Sequence, residues 1–152
     1  MESGKIAAAP PAGSARLLLA AGAALWWGAI VAAPLVDLDW VYTFFSAICH
    51  QNPDRVWHLA GAPLPVCVRC ASIYAGFLLA LLGRIPPNSR FLRVALAATL
   101  LEFLIARAGL DLEPARAATG LLLGLAAAGF VGAGVAELLR DRISRTFARA
   151  DQ

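Results

Sequence analysis

The chain has 152 residues, of which 60% are hydrophobic and 15% are charged, and its formal net charge is +3. Soluble domains contain about 45–50% apolar residues, so this composition argues against a water-soluble enzyme and excludes a disordered chain. Three cysteines are too few for a disulfide-dense secreted scaffold. The basic residues lie between apolar blocks, a distribution that indicates membrane topology rather than nucleic-acid binding.

Four apolar segments are long enough to cross a bilayer, which takes roughly 17–25 residues per helix. They cover about residues 17–33, 66–82, 91–108 and 118–139. We therefore predict an all-α integral membrane four-helix bundle over residues 15–140, after a disordered N-terminus (1–14) and before a basic tail (141–152). The first segment is interpreted as an uncleaved anchor, because its apolar run is long for a signal peptide and Pro34 follows the Ala-rich cleavage candidate.

The basic residues predict the orientation of these spans. Nine of the thirteen lie on the side that holds the N-terminus, the loop 84–93 and the C-terminal tail. By the positive-inside rule this side is cytoplasmic, so the loops 35–65 and 109–117 face outward. The expected location is the cytoplasmic (inner) membrane of a bacterium, as a multi-pass protein with both termini in the cytoplasm.

Small residues recur at a spacing of four in the last span. Such a stripe lets helix backbones approach closely in lipid, where burial supplies no hydrophobic driving force. It predicts tight packing within the chain, or a homo-oligomer formed through this helix. The stripe consists of Gly120, Gly124, Ala128, Gly132 and Ala136.

A 22-residue window, 49–70, at the end of the long outer loop and the mouth of the second span contains every cysteine and histidine of the chain. Before them, residues 38–48 place apolar and aromatic side chains at helical spacing, which predicts a short interfacial helix on the outer leaflet. The last two cysteines lie about one helical turn apart at the mouth of the second span. The five side chains are Cys49, His50, His58, Cys67 and Cys70.

Two chemistries and one structural alternative suit this set. Three thiolates and the imidazole of His50 or His58 are a ligand set for a tetrahedral transition metal, with zinc favoured. Alternatively, Cys67 and Cys70 are the active pair of a membrane thiol–disulfide oxidoreductase that passes electrons to quinone, with Arg69 lowering a thiol pKa. In architecture alone, such a protein is similar to vitamin K epoxide reductases and the disulfide-forming quinone reductases. The structural alternative is a disulfide that staples the loop to the helix.

The residues around these cysteines form a more specific pattern. Cys49-His50-Gln51 is followed by Pro53, Arg55 and Gly61, then by Pro65-Val66-Cys67-Val68-Arg69-Cys70 and Ile73-Tyr74-Ala75-Gly76. This pattern resembles the domain of unknown function 2085 family of prokaryotic membrane proteins. The likeness extends to Arg116, Thr119 and Gly120 before the last helix. It departs at Ala71-Ser72, where the family often has Thr-Gly, and in the shortened polar run 111–114. The resemblance implies the four-helix plan and the place of the site, but no reaction.

The remaining polar candidates lie in or beside the spans. Glu102 falls inside the third span, where an isolated carboxylate is costly, so we expect it to pair with Arg69 or Arg116. Alternatively it is the coupling carboxylate of a small oligomeric transporter. Arg55 and Arg69 either hold an anionic lipid headgroup or satisfy nearby acids and carbonyls. Phosphate-binding, serine-hydrolase and His-Glu-x-x-His motifs are absent from the sequence, so whether the protein is an enzyme stays open.

Overall fold

The computed structural model describes residues 12–150. Within this part of the chain it contains five α-helices and one two-stranded sheet, and a single 3₁₀ turn, Pro53–Arg55, precedes the sheet. In chain order the elements are α1 (Ala12–Ala32), α2 (Asp39–Ser46), β1 (Val56–Leu59), β2 (Ala62–Cys67), α3 (Val68–Gly83), α4 (Ser89–Arg107) and α5 (Glu113–Ala150).

The mostly helical fold predicted from the sequence is confirmed. Two helices are long and apolar enough to cross a membrane, over Ala15–Ala32 in α1 and Glu113–Arg142 in α5, and α3 is equally apolar but shorter. Large apolar side chains on these helices point outward, and Leu25 of α1 and Leu138 of α5 are 77% and 68% exposed. Helix α4 also exposes an apolar surface that includes Val94 and Leu100.

Several predicted boundaries shift. The short helix predicted over 38–48 is present as α2, and its position at a membrane interface stays a prediction. The segment 141–150, predicted as a tail, continues α5. Most of the terminus predicted to be disordered, residues 1–11, lies outside the described residues, and α1 already begins at Ala12.

The all-α prediction is wrong for the outer loop, because β1 and β2 form an antiparallel hairpin. Its register pairs Val56 with Cys67 and Leu59 with Ala62. The two residues between the strands, Ala60 and Gly61, both have positive φ, at 52° and 86°. Such a two-residue turn matches the twist of the strands it connects. The strands have only four and six residues, too few for their alternation to stand out in the sequence.

Helices α3 and α5 pack backbone against backbone at glycines. A Cβ atom added to Gly124 would collide with the carbonyl oxygen of Ile73, and one added to Gly76 would collide with that of Leu121. At Gly120 the added atom would lie 2.7 Å from the carbonyl oxygen of Arg69. Gly120 and Gly124 of the predicted small-residue stripe therefore pack against α3 within the chain. Oligomerisation through this helix stays a prediction.

Contacts at the two ends of α3 fix its position. At its C-terminal end, Nε of Arg16 donates to the carbonyl oxygen of Leu81 at 2.6 Å, which ties the beginning of α1 to the end of α3. At its N-terminal end lies a buried apolar cluster that joins α1, α2, β2 and α3 around the first cysteine. The buried members of this cluster are Ile30, Ala33, Val41, Phe45, Cys49, Val66 and Ala71.

The glycine contact predicts opposite effects for the same substitution at two positions of α5. Gly134→Ala should be neutral or stabilising by up to about 1 kcal/mol, because nothing lies within 4 Å of the added Cβ atom and alanine favours helix. Gly124→Ala should lower the free energy of unfolding by about 1–3 kcal/mol, because the backbone of α3 must move. Thermal unfolding of both variants in one detergent measures the contrast, and equal stability would contradict it.

Candidate metal centre and its ion-pair network

The three cysteines meet at the N-terminal end of α3. Their Sγ atoms all lie within 4.8 Å of one another, although Cys49 is separated from Cys67 by the whole hairpin. Cys49 is buried, and Cys67 and Cys70 are partly exposed. All three are free thiols in this structure.

The local fold explains how Cys49 reaches the other two. Val41 and Phe45 of α2 are buried in the apolar cluster, which holds the end of that helix against β2 and α3. Cys49 follows three residues after α2, and its Sγ accepts a hydrogen bond from the backbone N–H of Cys67 at 3.2 Å. Cys67 is the N-cap residue of α3 in extended conformation, so Cys70 follows in the first turn.

Gln51 holds the loop in this position. Its side-chain Nε2 donates to two carbonyl oxygens, those of Tyr42 in α2 and Pro65 in β2, both at 2.8 Å. The residue has a φ of 45°, in the left-handed region that non-glycine residues seldom adopt. From the sequence, Gln51 was a candidate only as part of the family motif, and its contacts make it a positioning residue.

The cysteines perturb one another. The Cys67 sulfur interacts with the thiol of Cys70, and this hydrogen bond lowers the pKa of Cys67 well below its ordinary value. Further hydrogen bonds from the backbone of Cys70, the Cys49 thiol and the backbone of Arg69 act in the same direction. The arrangement therefore favours a thiolate at the end of β2, and a thiolate is both a metal ligand and a nucleophile.

Neither histidine belongs to the cysteine group. Among the described residues, the group of neighbouring ligand atoms at this site consists of the three sulfurs alone. His50 and His58 are both exposed, and His58 lies in β1 opposite Pro63. The sequence placed both histidines beside the cysteines because the spacing was short, but exposure on the loop and hairpin keeps them outside the cluster.

A network of charged side chains lies behind the cysteines. Glu102 of α4 is buried and forms ion pairs with Arg69 of α3 and, at 3.8 Å between Oε1 and Nε, with Arg116 of α5. Asp111 pairs with Arg116 and, at 2.8 Å, with Arg55. Both arginines that the sequence offered as partners of Glu102 are thus in contact with it.

Three contacts at this end of the fold were missed from the sequence. Asp111 joins Arg55 to Arg116, and Nε1 of Trp57 donates to Glu113 at 2.7 Å, which ties the hairpin to the start of α5. The signal was present in the acidic run 111–114, which lies between two predicted spans on the side that holds the cysteines. Only the folded structure shows that the hairpin contacts this acidic run.

These features define a mostly helical protein with long apolar helices and a three-cysteine group at one end of them. The chain belongs to the family described as predicted membrane protein (DUF2085), whose family model matches residues 49–130, more than half of the chain. The resemblance drawn from the cysteine motifs is confirmed.

The matched region holds the whole cysteine group and the network around Glu102. The uncharacterized protein MJ1492 of Methanocaldococcus jannaschii is 40% identical over 42 residues, which are 28% of this chain and 27% of that protein. The chain thus matches about a quarter of that relative's length. No solved structure matches the chain.

Removing the charge of Glu102 should destabilise the fold far more than removing the charge of an exposed acid. Glu102→Gln leaves Arg69 and Arg116 without their shared buried carboxylate, which should lower the free energy of unfolding by about 3–5 kcal/mol. The matched control is Asp141→Asn, which breaks an exposed pair with Arg145 and should cost less than about 1 kcal/mol. Thermal unfolding in detergent compares the two, and similar losses would mean that the network does not support the fold.

Proposed function

We propose that this protein is a multi-pass membrane protein whose outer face binds a divalent transition metal, most suitably zinc, through the thiolates of Cys49, Cys67 and Cys70. The observation that carries the proposal is the meeting of three sulfurs within 4.8 Å from two separate parts of the chain. Zinc–sulfur bonds are about 2.3 Å long, so sulfurs that share one ion lie roughly 4 Å apart. Small side-chain rotations would bring these three to that separation.

The surroundings of the sulfurs suit a metal–thiolate site. Cys49 is buried, and its Sγ already accepts the backbone N–H of Cys67, a contact that orients a sulfur ligand. Gln51, two residues after Cys49, holds the loop in place through its two hydrogen bonds. A metal ion here would link the loop to the beginning of α3, so its binding would contribute to folding.

The charge of the neighbouring network favours a divalent ion. Arg55, Arg69 and Arg116 together with the carboxylates of Asp111 and Glu102 carry one excess positive charge. Three thiolates with a divalent ion carry one negative charge, whereas with copper(I) they carry two. The divalent complex therefore balances the net charge of the network, in which Glu102 and Arg116 are buried.

The fourth coordination position is proposed to be open to water or to an exogenous ligand. His50 and His58 are exposed and lie outside the sulfur group, so neither contributes the fourth bond without a movement of the loop or the hairpin. Three protein ligands and one exchangeable position are also the arrangement of reactive zinc sites.

A second candidate function, thiol–disulfide exchange with membrane quinone, has one observation in its favour. The hydrogen bond between Cys70 and Cys67 lowers the pKa of Cys67, as a nucleophilic thiol requires. In this alternative a substrate dithiol reduces a Cys67–Cys70 disulfide by thiol–disulfide exchange and becomes a disulfide itself. The Cys67 thiolate then attacks quinone, which takes up two electrons and two protons and leaves as quinol while the Cys67–Cys70 disulfide forms again. The transporter alternative is not supported in the same way, because Glu102 is already paired with two arginines.

The membrane topology is part of the proposal. We propose that α1, α3, α4 and α5 all cross the bilayer, because each exposes large apolar side chains and because α1 and α5 alone would leave the apolar face of α4 in water. The nine-to-four division of basic residues supports cytoplasmic termini and an outward-facing hairpin.

Metal content should depend on each cysteine and not on the histidines. We expect about one zinc ion per chain in protein purified without chelators, and a loss of more than tenfold in Cys49→Ser, Cys67→Ser and Cys70→Ser. His50→Ala and His58→Ala are the matched controls and should keep the ion. Elemental analysis with a parallel free-thiol count makes the measurement. A metal-free parent that reduces quinone with a dithiol would support the oxidoreductase instead.

Two introduced cysteines test the topology. Asp54→Cys lies at an exposed position before the hairpin, and Ser89→Cys lies at an exposed position at the start of α4. A membrane-impermeant maleimide should label position 54 on intact spheroplasts and position 89 only after permeabilisation, with the parent chain as the background control. The reverse pattern would overturn the orientation, and equal labelling of both on intact spheroplasts would place the two loops on one side.

A further inference from the structure

Three arginines lie around the beginning of α3, and a different part of the fold places each of them beside Cys67. Arg69 follows Cys67 by two residues, in the first turn of α3. Arg55 directly precedes β1, whose first residue the hairpin register pairs with Cys67. Arg116 stands one turn before Gly120 of α5, where an added Cβ atom would lie 2.7 Å from the carbonyl oxygen of Arg69. Arg116 therefore lies within electrostatic range of the Cys67 sulfur.

Two carboxylates cancel most of this positive charge. Glu102 forms ion pairs with Arg69 and Arg116. Asp111 forms ion pairs with Arg116 and Arg55, so the network as a whole keeps one excess positive charge. The side chains of Glu102 and Arg116 are only 8% and 5% exposed, and solvent screens the centre of the network weakly. Asp111 and Arg55 are 31% and 47% exposed and form its better-screened outer part.

The charge of a metal complex at the three cysteines depends on the metal. After the thiol protons have left for solvent, three thiolates carry one negative charge with Zn²⁺ and two with copper(I). An added positive charge in the network stabilises the copper(I) complex by one more unit-charge interaction than the zinc complex. The ratio of the two affinities reports this difference directly, because both metals start from the same metal-free protein.

We infer that Glu102 and Asp111 determine which metal the site retains, because they hold the charge beside the sulfurs at a single excess and so disfavour copper(I). The inference rests on the metal binding proposed above. Without either carboxylate, the network carries two excess positive charges and matches the copper(I) complex instead. Glu102 then acts on the metal through Arg69 and Arg116, as a residue that sets specificity without being a ligand.

Single substitutions move the charge of the network in both directions. Glu102→Gln and Asp111→Asn each raise it by one, and Arg55→Gln lowers it to zero. Asp111→Asn is the second route to the higher charge, because Glu102→Gln also destabilises the fold. Glu113→Gln is the near control, since this acid is exposed and accepts its hydrogen bond from the hairpin, outside the network. Asp141→Asn is the distant control, because it removes the same charge from an exposed pair near the C-terminal end of α5.

Competition of the purified full chain in detergent against a chromophoric chelator of each metal provides the test, with copper kept as copper(I) by ascorbate without oxygen. We expect the ratio of copper(I) affinity to zinc affinity to rise about tenfold in Glu102→Gln and about fivefold in Asp111→Asn. It should fall about threefold in Arg55→Gln and change by less than about twofold in the two controls. A loss of stability alone lowers both affinities together and leaves their ratio unchanged. The thiolate-to-cobalt absorption of variants loaded with Co²⁺ checks that the three sulfurs remain ligands.

An unchanged ratio in both carboxylate variants, with zinc still bound by the parent, would overturn this inference and leave the proposed metal site standing. A ratio that rises in Arg55→Gln, or that moves as strongly in Glu113→Gln as in Asp111→Asn, would also overturn it, because the effect would not follow the charge of the network. A parent that binds neither metal would instead contradict the metal site itself, and the inference with it. The zinc content of the cysteine variants distinguishes these two failures.

Discussion

The backbone contact between α3 and α5 is the constraint on which the rest of the structure depends. Gly76, Gly120 and Gly124 remove the side chains that would otherwise hold the two helices apart. Within a bilayer, apolar side chains gain nothing by leaving lipid for protein, so close van der Waals packing must supply the association. Because the two helices run in the same direction in this contact, their N-terminal ends lie together, and these ends carry Arg69, the cysteine pair and Arg116.

The adjacent ends of α3 and α5 bring two positive charges together, and a carboxylate of α4 pairs with both. Arg69 and Arg116 converge on a region with little solvent, where unpaired charges are expensive. Glu102 enters from α4 and contacts both, and Asp111 in the following loop extends the network to Arg55 beside the hairpin. The charges thus connect the segment before the hairpin with α3, α4 and α5. Glu102, for which the sequence offered both an ion-pair and a transport role, is in contact with both candidate arginines.

The position of the cysteine group depends on the contact between α3 and α5. Two sulfurs come from the beginning of α3, which the glycine contact fixes, and the third comes from a loop that Gln51 and the burial of Phe45 hold in place. The region that makes the site is also the region that the family model covers. Three neighbouring thiols beside a net positive charge are suited to a divalent metal, and the same geometry explains why one of them has thiolate character.

The sequence alone determined the helical class, the apolar segments, the short helix before Cys49 and the family, because these depend on local composition, periodicity and motif. It also identified Glu102 as a residue that needs a cation, since a lone carboxylate in an apolar helix is costly. The hairpin depended on pairing between two short strands, and that pairing places His58 opposite Pro63, outside the sulfur group. His50 is exposed in the loop that follows α2 and is also outside the group. The choice of Arg69 and Arg116 together, and the role of Asp111, required three helices to meet, and contacts between distant segments leave no periodic signal in a single chain.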